Sequence, residues 1–259
     1  MTDSPNPALD PLALPLRGTR LIEADATAID LSQRPYRITA EGKTIETQAV
    51  ILATGASANR LGLPSEERFW SQGISACAIC DGATPQFRQA ELAVVGGGDS
   101  ACEEAVYLTK YGSQVHLIVR GEKLRASGAM ADRVLANTAI TVHWNRQVAD
   151  ASGGDWLEAI TLRDPSSGAS EELPVKGLFY AIGHTPNTRL VRGQLEVDSH
   201  GYLATQAGRP ETSAAGVYAA GDVADAEWRQ GITAAGSGCQ AALAAERWLT
   251  HHDLAVTVS

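Results

Sequence analysis

The 259-residue sequence predicts an α/β fold, and two observations carry that prediction. Short apolar segments typical of buried strands recur along the chain, separated by stretches with helical or turn character. One of these segments, residues 92–95, runs directly into a glycine-rich turn, and the turn opens a predicted helix. Strand, glycine turn and helix in this order are typical of nucleotide-binding α/β domains. The length suggests one or two domains, since a domain has roughly 150 residues.

The composition indicates a globular protein and argues against two kinds of partner. Hydrophobic residues make up 44% of the chain and charged residues 20%, which is enough for a sizeable core. The net charge of −9 gives no attraction for a phosphate backbone, so we expect no nucleic acid partner. No segment approaches the roughly 20 apolar residues of a membrane span, so we expect no membrane partner. The four cysteines do not form a secreted disulfide framework, which favours a cytoplasmic protein.

We do not expect the first residues to be a signal peptide. Residues 1–16 hold four prolines and two aspartates, without the basic and apolar regions of a signal peptide. We expect residues 1–15 to be a poorly ordered tail. Short strands are predicted at 20–24 and 36–39.

A longer strand is predicted over residues 43–52, where an alternating pattern becomes continuously apolar. It ends in Thr54, Gly55 and Ala56, where the glycine would let the backbone approach a ligand closely. A plain turn at the end of a strand is the alternative interpretation.

Cys77 and Cys80 form the first chemical motif. On a helical turn, residues at this spacing have Cβ atoms roughly 5–6 Å apart, which is close to disulfide reach after a small rotation. Such a pair near a βαβ pattern indicates a dithiol/disulfide switch, and Asp81 follows it directly. The alternative is half of a zinc site. That site needs two more Cys or His ligands at matching spacing, and the sequence has no such second pair.

The glycine turn after residues 92–95 has the pattern Gly-x-Gly-x-x-Ala. Gly96 is expected to make the tight turn, Gly98 to let a pyrophosphate approach, and Ala101 to let helix and strand pack closely. The helix that opens at Asp99 and Ser100 offers free N–H groups and a positive dipole end to a phosphate.

The next predicted strand, residues 115–119, ends in cations. An NAD site carries an acid at this position, which binds the ribose 2′-hydroxyl. Arg120, Lys123 and Arg125 stand there instead and favour a 2′-phosphate, hence NADP(H). The alternative is a solvated basic surface turn, and Glu122 among the cations speaks somewhat against a phosphate site.

A second ligand signature lies near the end of the chain. Gly221 and Asp222 follow a predicted strand, and Arg229 and Gln230 precede a predicted helix. An acid at a strand end can bind sugar or ribityl hydroxyls, although Asp222 is equally suited to cap a helix. The elements predicted after residue 125 are helices over 127–137 and 231–249, strands over 140–144, 156–162, 173–182 and 217–220, and a hairpin turn at 165–168.

Together these motifs resemble the low-molecular-weight, bacterial-type thioredoxin reductases. The motifs occur in that family's order, from about residue 19 to the end of the chain. The runs at 119–127 and 227–230 are most similar to the cyanobacterial and plastid branch. The motifs that carry the resemblance are residues 53–56, 77–82, 96–101 and 181–187, and the pairs Gly221-Asp222 and Arg229-Gln230.

The resemblance implies two nucleotide-binding Rossmann-like domains of the three-layer ββα type. An NADPH domain, residues 63–186, would be inserted into an FAD domain formed by residues 1–62 and 187–259. Hydride would pass from NADPH to FAD, and the flavin would reduce a Cys77–Cys80 disulfide. The dithiol would then reduce thioredoxin or a thioredoxin-like protein, and the family suggests a homodimer.

The resemblance also implies roles for individual residues. Cys80 would face the flavin, Cys77 would attack the thioredoxin disulfide, and Asp81 would handle the thiol proton. No metal site is expected. The implied NADPH-binding residues are Gly96, Gly98, Asp99, Ser100, Ala101, Arg120, Arg125, Ile182 and Gly183; the implied FAD-binding residues are Thr54, Gly55, Ala56, Gly221, Asp222, Arg229 and Gln230.

The sequence departs from the family in its 2′-phosphate motif. The family carries a His-Arg-Arg-x-x-x-Arg run, of which Arg120 and Arg125 are present here, while Gly121 replaces the middle arginine. The preference for NADPH is therefore weakened, although Lys123 could compensate as a point charge.

The second departure concerns FAD. The family begins with a GxGxxG strand–turn–helix for the FAD pyrophosphate, and nothing before residue 96 has that pattern here, with residues 1–17 in its place. We therefore expect this chain to bind FAD weakly or not at all. Two alternatives to a thioredoxin reductase stay open. One is a non-catalytic NADP-binding or interaction fragment that has lost FAD binding, and the other is a related flavin-dependent disulfide reductase with another donor or acceptor.

Overall fold

The computed structural model describes residues 21–254. The chain divides into two compact units: an inner unit, Ala56–Pro186, and an outer unit made of Met1–Gly55 and Asn187–Ser259. The tail predicted at 1–15 lies outside the described residues, as does residue 20 of the first predicted strand. The predicted inserted domain falls within the inner unit.

The described residues form fifteen strands and five α-helices. The strands are β1 (Ala26–Asp30), β2 (Tyr36–Ala40), β3 (Lys43–Thr47), β4 (Val50–Leu52), β5 (Ala56–Ala58), β6 (Ile74–Ser75), β7 (Glu91–Val95), β8 (Gln114–Val119), β9 (Ile140–Trp144), β10 (Gln147–Gly153), β11 (Leu157–Arg163), β12 (Ser170–Pro174), β13 (Gly177–Tyr180), β14 (His184–Pro186) and β15 (Val217–Ala219). The helices are α1 (Glu66–Phe69), α2 (Ala78–Asp81), α3 (Asp99–Leu108), α4 (Gly128–Leu135) and α5 (Gly231–His251), with 3-10 turns at Pro85–Phe87, Arg189–Val191 and Gly221–Val223.

A five-stranded parallel sheet, in the order β6-β13-β7-β8-β9, forms the centre of the inner unit. Successive side chains of a strand point to opposite faces of the sheet. In β7, Leu92 and Val94 therefore join the core that contains α3 and α4, whereas Ala93 joins the core on the other face. The antiparallel sheet β10-β11-β12 covers that second face through Ile160 and Leu162. The α/β fold is confirmed, and the inner unit has the predicted three-layer ββα architecture.

The strand order of the parallel sheet fixes where a ligand can bind. From β7 the sheet grows through β8 to β9 on one side and through β13 to β6 on the other. Ligands of open α/β sheets bind outside the carboxyl ends of the strands, where the order reverses. That point here lies between β7 and β13, directly before Gly96 and Ala181.

The outer unit has its own small core. Strands β1, β2 and β3 form an antiparallel sheet, while β4 pairs in parallel with β15. Helix α5 packs on this pair, because Tyr218 and Ala220 share a buried cluster with Ala241 and Ala245. The parallel pairing brings the ends of β4 and β15 to the same edge.

The inner unit begins and ends in paired strands. β5, at its start, pairs antiparallel with β14, at its end. Asn59 strengthens this pairing, because its amide Nδ2 donates to the Ile182 carbonyl at 3.1 Å and its Oδ1 accepts from the Thr185 hydroxyl at 2.7 Å.

Three predicted strands differ from the structure. The strand predicted at 20–24 is wrong over 21–24, which is irregular, and the first strand starts at Ala26. The predicted strand at 43–52 is two strands, β3 and β4, which belong to different sheets. The one at 173–182 likewise divides into β12 and β13, because the partner strand changes: the Val175 N–H still donates to the Glu158 carbonyl in β11, whereas the Lys176 N–H donates to the Glu91 carbonyl in β7. A continuous apolar pattern does not reveal a change of sheet.

Among the described residues, no helix is both long enough and apolar enough to cross a membrane.

Candidate functional site

The cysteine pair lies at the start of a single helical turn in the inner unit. Cys77 is the N-cap of α2, and its Sγ accepts a hydrogen bond from the Cys80 backbone N–H at 3.1 Å. The two residues form a disulfide, with their Cα atoms 5.3 Å apart. Cys77 is half-buried and Cys80 is exposed. Within residues 21–254, no group of three His, Cys, Asp or Glu side chains could hold a metal ion, which leaves the zinc interpretation unsupported.

A buried serine connects the disulfide to the neighbouring acid. Ser75, the last residue of β6, is 8% exposed. Its hydroxyl donates to Asp81 Oδ2 at 2.5 Å and accepts from the Cys77 backbone N–H at 3.0 Å. The sequence did not indicate a role for Ser75. A serine before a CxxC motif does not reveal which groups its hydroxyl will contact in the folded protein.

Gly82, directly after α2, lets this turn pack closely on α3. A Cβ atom at Gly82 would lie 2.6 Å from the Ala78 carbonyl oxygen and 2.7 Å from Leu108 Cδ2. Ala78 and Leu108 are both buried in the same core cluster. The glycine therefore seats the disulfide-bearing turn against the helix that follows the nucleotide-type loop.

Of the three glycines in the loop after β7, Gly96 and Gly98 have different structural roles. Gly96 has φ +150°, and a Cβ there would lie 2.5 Å from the Ala181 carbonyl oxygen and 2.7 Å from Ala101 Cβ. Gly98 is the extended N-cap of α3, and a Cβ there would meet no protein atom within 4 Å. Gly96 is thus required by the fold, whereas Gly98 keeps the space before the N-terminus of α3 open. That space is where a pyrophosphate binds in dinucleotide folds.

A cavity of about 890 Å³ opens at this edge of the parallel sheet. Its volume lies within the ~300–1,000 Å³ typical of small-molecule sites. The shape and donor groups fit a dinucleotide, since the open glycine loop and a row of cations border the same space. The lining includes all the residues predicted for NADPH except Ala101, which is buried: Gly96, Gly98, Asp99, Ser100, Arg120, Arg125, Ile182 and Gly183, together with Lys123 and Arg146.

The basic segment after β8 is held by backbone hydrogen bonds. The Asn145 N–H donates to the Gly121 carbonyl and the Arg146 N–H to the Val119 carbonyl, each at 3.1 Å. The Arg125 N–H donates to the Gly97 carbonyl at 2.6 Å, which ties the segment to the glycine loop. The exposed side chains of Arg120 and Arg125 are therefore presented by a fixed backbone.

Asp99 makes a second tie between the glycine loop and the basic segment. Its Oδ1 accepts from the Ser127 backbone N–H at 2.9 Å and from the Ser127 hydroxyl at 2.8 Å. These hydrogen bonds hold the pKa of the Asp99 carboxyl below its ordinary value. Asp99 was predicted to bind NADPH, and in the structure its carboxylate is engaged with the start of α4.

Arg146 is a cavity residue that sequence reasoning missed. It follows β9, and its guanidinium lies 3.2 Å from Asp164 Oδ2 and 3.4 Å from Glu171 Oε1. Hydrogen bonds from Ser166, and secondarily the Arg146 charge, hold the pKa of Asp164 at about 2. A signal was present, because the carboxyl ends of neighbouring parallel strands meet at one edge, and β9 neighbours β8.

The residues predicted for FAD divide between the two units. In the outer unit, Thr54 and Gly55 follow β4, and Gly221 and Asp222 follow β15, so the parallel pairing brings them to one sheet edge. Gly221 has φ +70°, and its N–H donates to the Ser237 hydroxyl in α5 at 2.9 Å. Arg229 and Gln230 directly precede α5 in the same unit, and Ala56 is the first residue of the inner unit. A sheet edge beside a helix N-terminus suits a ligand with hydroxyl or phosphate groups.

Comparison with known proteins identifies similar chains. Residues 16–242 match the family described as pyridine nucleotide-disulphide oxidoreductase. The chain is 52% identical over 241 residues to the NADPH-dependent thioredoxin reductase 3 of Arabidopsis thaliana, covering 92% of this chain and 46% of that protein. It is 53% identical over 238 residues to the thioredoxin reductase of Eremothecium gossypii, covering 90% of this chain and 75% of that protein. The chain thus spans about half of the plant relative and about three quarters of the fungal one.

The solved structures agree with these matches. The thioredoxin reductase from Giardia duodenalis superposes with a TM-score of 0.81 at 40% identity, covering 90% of this chain and 76% of that chain. The thioredoxin reductase from Streptococcus pyogenes MGAS5005 gives the same TM-score at 34% identity, covering 88% of this chain and 74% of that chain.

Proposed function

We propose, because this chain belongs to the pyridine nucleotide-disulphide oxidoreductases and is related to the thioredoxin reductases among them, that it is an NADPH-dependent disulfide reductase. Electrons from NADPH would pass through FAD to the Cys77–Cys80 disulfide. The resulting dithiol would reduce a thioredoxin-like protein.

One observation supports this proposal most directly. The disulfide and the cation-lined cavity belong to the same compact unit, and Gly82 seats the disulfide turn against α3. Helix α3 starts at the cavity, beside Gly98. A nucleotide site and a redox-active disulfide on one scaffold are the parts that a pyridine nucleotide-dependent disulfide reductase needs.

The residues of the chain have distinct tasks in this reaction. When bound, NADPH and FAD supply the two electrons that the disulfide accepts. The open space at Gly98 and the N–H groups of α3 would hold the pyrophosphate, while Arg120 and Arg125 would hold the 2′-phosphate. Reduction of the disulfide yields two sulfurs that must take up two protons in all to become thiols, and Asp81 would exchange one of these protons.

The flavin side of the proposal rests on the outer unit. Thr54, Gly55, Gly221 and Asp222 at one sheet edge, with Arg229 and Gln230 before α5, would hold part of FAD. The expectation that this chain binds FAD weakly or not at all stays a prediction. The visible absorption band of bound flavin in the purified protein would contradict it.

Several finer assignments also stay predictions. The plant and fungal relatives are almost equally identical to this chain, at 52% and 53%, so they do not separate the cyanobacterial and plastid branch from others. The NADPH-binding role of residues 63–186, the FAD-binding role of 1–62 and 187–259, a homodimer and a cytoplasmic location belong to the same proposal.

The proposal is tested by NADPH-dependent reduction of a thioredoxin disulfide in the presence of added FAD. Cys77→Ser and Cys80→Ser are each expected to abolish the activity, because either change removes the disulfide. Both variants should bind NADP with unchanged affinity, since neither residue lines the cavity.

Cys239→Ser is the matched control. Cys239 is an exposed free cysteine on α5, outside the disulfide turn. Its variant should retain full activity. Activity that survives in Cys77→Ser or Cys80→Ser would rule out the assigned pair, and a chain that binds NADP without any reductase activity would favour the non-catalytic alternative.

A further inference from the structure

The buried hydroxyl of Ser75 lies between Cys77, one residue of the disulfide, and Asp81, the predicted proton carrier. It contacts the backbone of Cys77 on one side and the carboxylate of Asp81 on the other. We propose that Ser75 is a positioning residue, which holds the Asp81 carboxylate in the orientation needed to exchange a proton with the cysteine sulfurs. The inference rests on the proposed function only through the redox activity of the disulfide.

Without the hydrogen bond from Ser75, the orientation of the Asp81 side chain would be poorly defined. Asp81 is the last residue of α2, a helix of one turn, and its backbone N–H donates to the Cys77 carbonyl at 3.1 Å. That bond fixes the backbone of Asp81 and leaves the carboxylate free to rotate. The 2.5 Å hydrogen bond from Ser75 selects one orientation, since a hydroxyl donating to a carboxylate is a short and strong interaction.

Ser75 itself is firmly placed. Its backbone belongs to β6, which pairs in parallel with β13 so that Ser75 lies opposite Phe179. Phe179 is fully buried. The parallel sheet thus supports Ser75, and its short side chain reaches the turn that carries Asp81. A group held in this way loses little entropy when it orients a neighbour, which makes it effective in preorganising a site.

The orientation of the Asp81 carboxylate matters during reduction of the disulfide. In reduction by a dithiol, a reductant thiolate attacks one cysteine sulfur, the S–S bond breaks, and the other sulfur leaves as a thiolate. The second reductant sulfur then displaces the first cysteine and closes a cyclic disulfide. Two electrons and two protons move from the reductant to Cys77 and Cys80. The Asp81 carboxylate takes the proton of the attacking reductant thiol and then gives it to the departing cysteine thiolate, so the proton that the reductant loses is the one that the cysteine gains. Ser75 acts only through Asp81.

Dependence on Asp81 distinguishes a positioning role of Ser75 from a general stabilising role. If Ser75 works through Asp81, the cost of losing its hydroxyl must vanish once Asp81 can no longer exchange a proton. If Ser75 merely stabilises the fold, its loss must cost the same with or without the carboxylate. A double-mutant cycle measures the difference.

The experiment follows reduction of the disulfide by dithiothreitol in the full chain, with neither NADPH nor FAD present. Rapid alkylation and mass spectrometry give the fraction reduced over time. Asp81→Asn is expected to slow reduction by about 100-fold, and Ser75→Ala by about tenfold through misorientation of the carboxylate. Ser75→Thr, which keeps the hydroxyl, should recover most of the rate. Ser75→Ala in the Asp81→Asn background should cause no further loss.

Two results would overturn the proposal: a wild-type rate in Ser75→Ala, or the same tenfold loss in both backgrounds. NADP affinity and the unfolding midpoint report whether each variant is folded. Should Ser75→Ala fail to fold, Ser75→Val replaces it in the cycle, because valine has nearly the shape of the Ser75→Thr variant and lacks its hydroxyl. The dithiothreitol assay needs no cofactor, so its result does not depend on whether the chain has thioredoxin reductase activity. Conversely, a negative result for Ser75 leaves the proposed reductase function untouched.

Discussion

Gly96 lies so close to Ala101 that a Cβ atom on the glycine would come within 2.7 Å of the alanine's own Cβ. The same atom would lie 2.5 Å from the Ala181 carbonyl oxygen. Gly96 is thus packed between the first turn of α3 and Ala181, which follows the neighbouring strand β13. This contact sets the position of the N-terminus of α3 at the cavity, and with it the place where a pyrophosphate would bind.

Gly96→Ala is expected to destabilise the protein by about 1–3 kcal/mol, since the added methyl is overpacked and the backbone has a positive φ. Gly98→Ala is the matched comparison, because a Cβ there meets no protein atom. It should destabilise the protein less than Gly96→Ala, by at most about 1 kcal/mol for an alanine at the N-cap of α3, and weaken NADP binding, measured by titration calorimetry. Equal stability losses in the two variants would contradict these distinct roles.

Arg120→Ala is expected to weaken NADPH binding roughly tenfold and NADH binding little, since one charge-assisted hydrogen bond to the 2′-phosphate is lost. Arg163→Ala serves as the control, because Arg163 is exposed and does not border the cavity. The two dissociation constants are compared by fluorescence titration. An equal loss for both nucleotides would show that Arg120 does not bind the 2′-phosphate.

Gly121→Arg is expected to raise the preference for NADPH over NADH several-fold by restoring the middle arginine of the phosphate motif. The backbone accepts the change, because a Cβ at Gly121 would have its nearest protein neighbour, the Lys123 carbonyl oxygen, 4.0 Å away. The ratio of the two dissociation constants is the measurement. An unchanged ratio would mean that Lys123 already supplies the missing charge.

His143 is expected to make the protein less stable in mild acid. Burial, and secondarily the neighbouring His116, lower the pKa of His143 below 6.5, while Glu171 opposes this shift. Because the unfolded chain then binds more protons than the folded one, the free energy of unfolding decreases as the pH falls through about 6.5 and towards the lower folded value.

Urea unfolding at several pH values between about 7.5 and 5 measures this effect. His143→Asn should flatten the pH dependence, whereas His200→Asn, a change at an exposed histidine, should leave it as in the wild type. A wild-type slope in His143→Asn would assign the acid sensitivity to other groups.

Much of the nucleotide side was predictable from the sequence, because its signals are local. Gly96, Gly98 and Ala101 lie within one strand–turn–helix, and their spacing carries the close packing that the structure shows. The Cys77–Cys80 disulfide was predictable for the same reason, because two cysteines three residues apart on one helical turn lie close to disulfide reach. The strand at 43–52 was not predictable as two strands, because the choice of pairing partner is made by residues far along the chain, such as those of β15.

The residues that sequence reasoning missed are defined by tertiary contacts. Arg146 borders the cavity through the sheet order, and Ser75 meets Asp81 because a strand and a one-turn helix converge. The sequence around Ser75 or Arg146 contains no local pattern that indicates these tertiary contacts. The role of Asp99 was also hidden, since its acceptor function is directed to Ser127, at the start of α4.

The pairing of β5 with β14 has a consequence for the history of the chain. Paired strands lie about 4.8 Å apart, so the inner unit receives and returns the polypeptide at almost the same place. A segment with adjacent ends can enter a surface loop of another protein by a single recombination event, without stretching either partner. The disulfide turn and the cation-lined cavity would then be inherited together, as one transferable module.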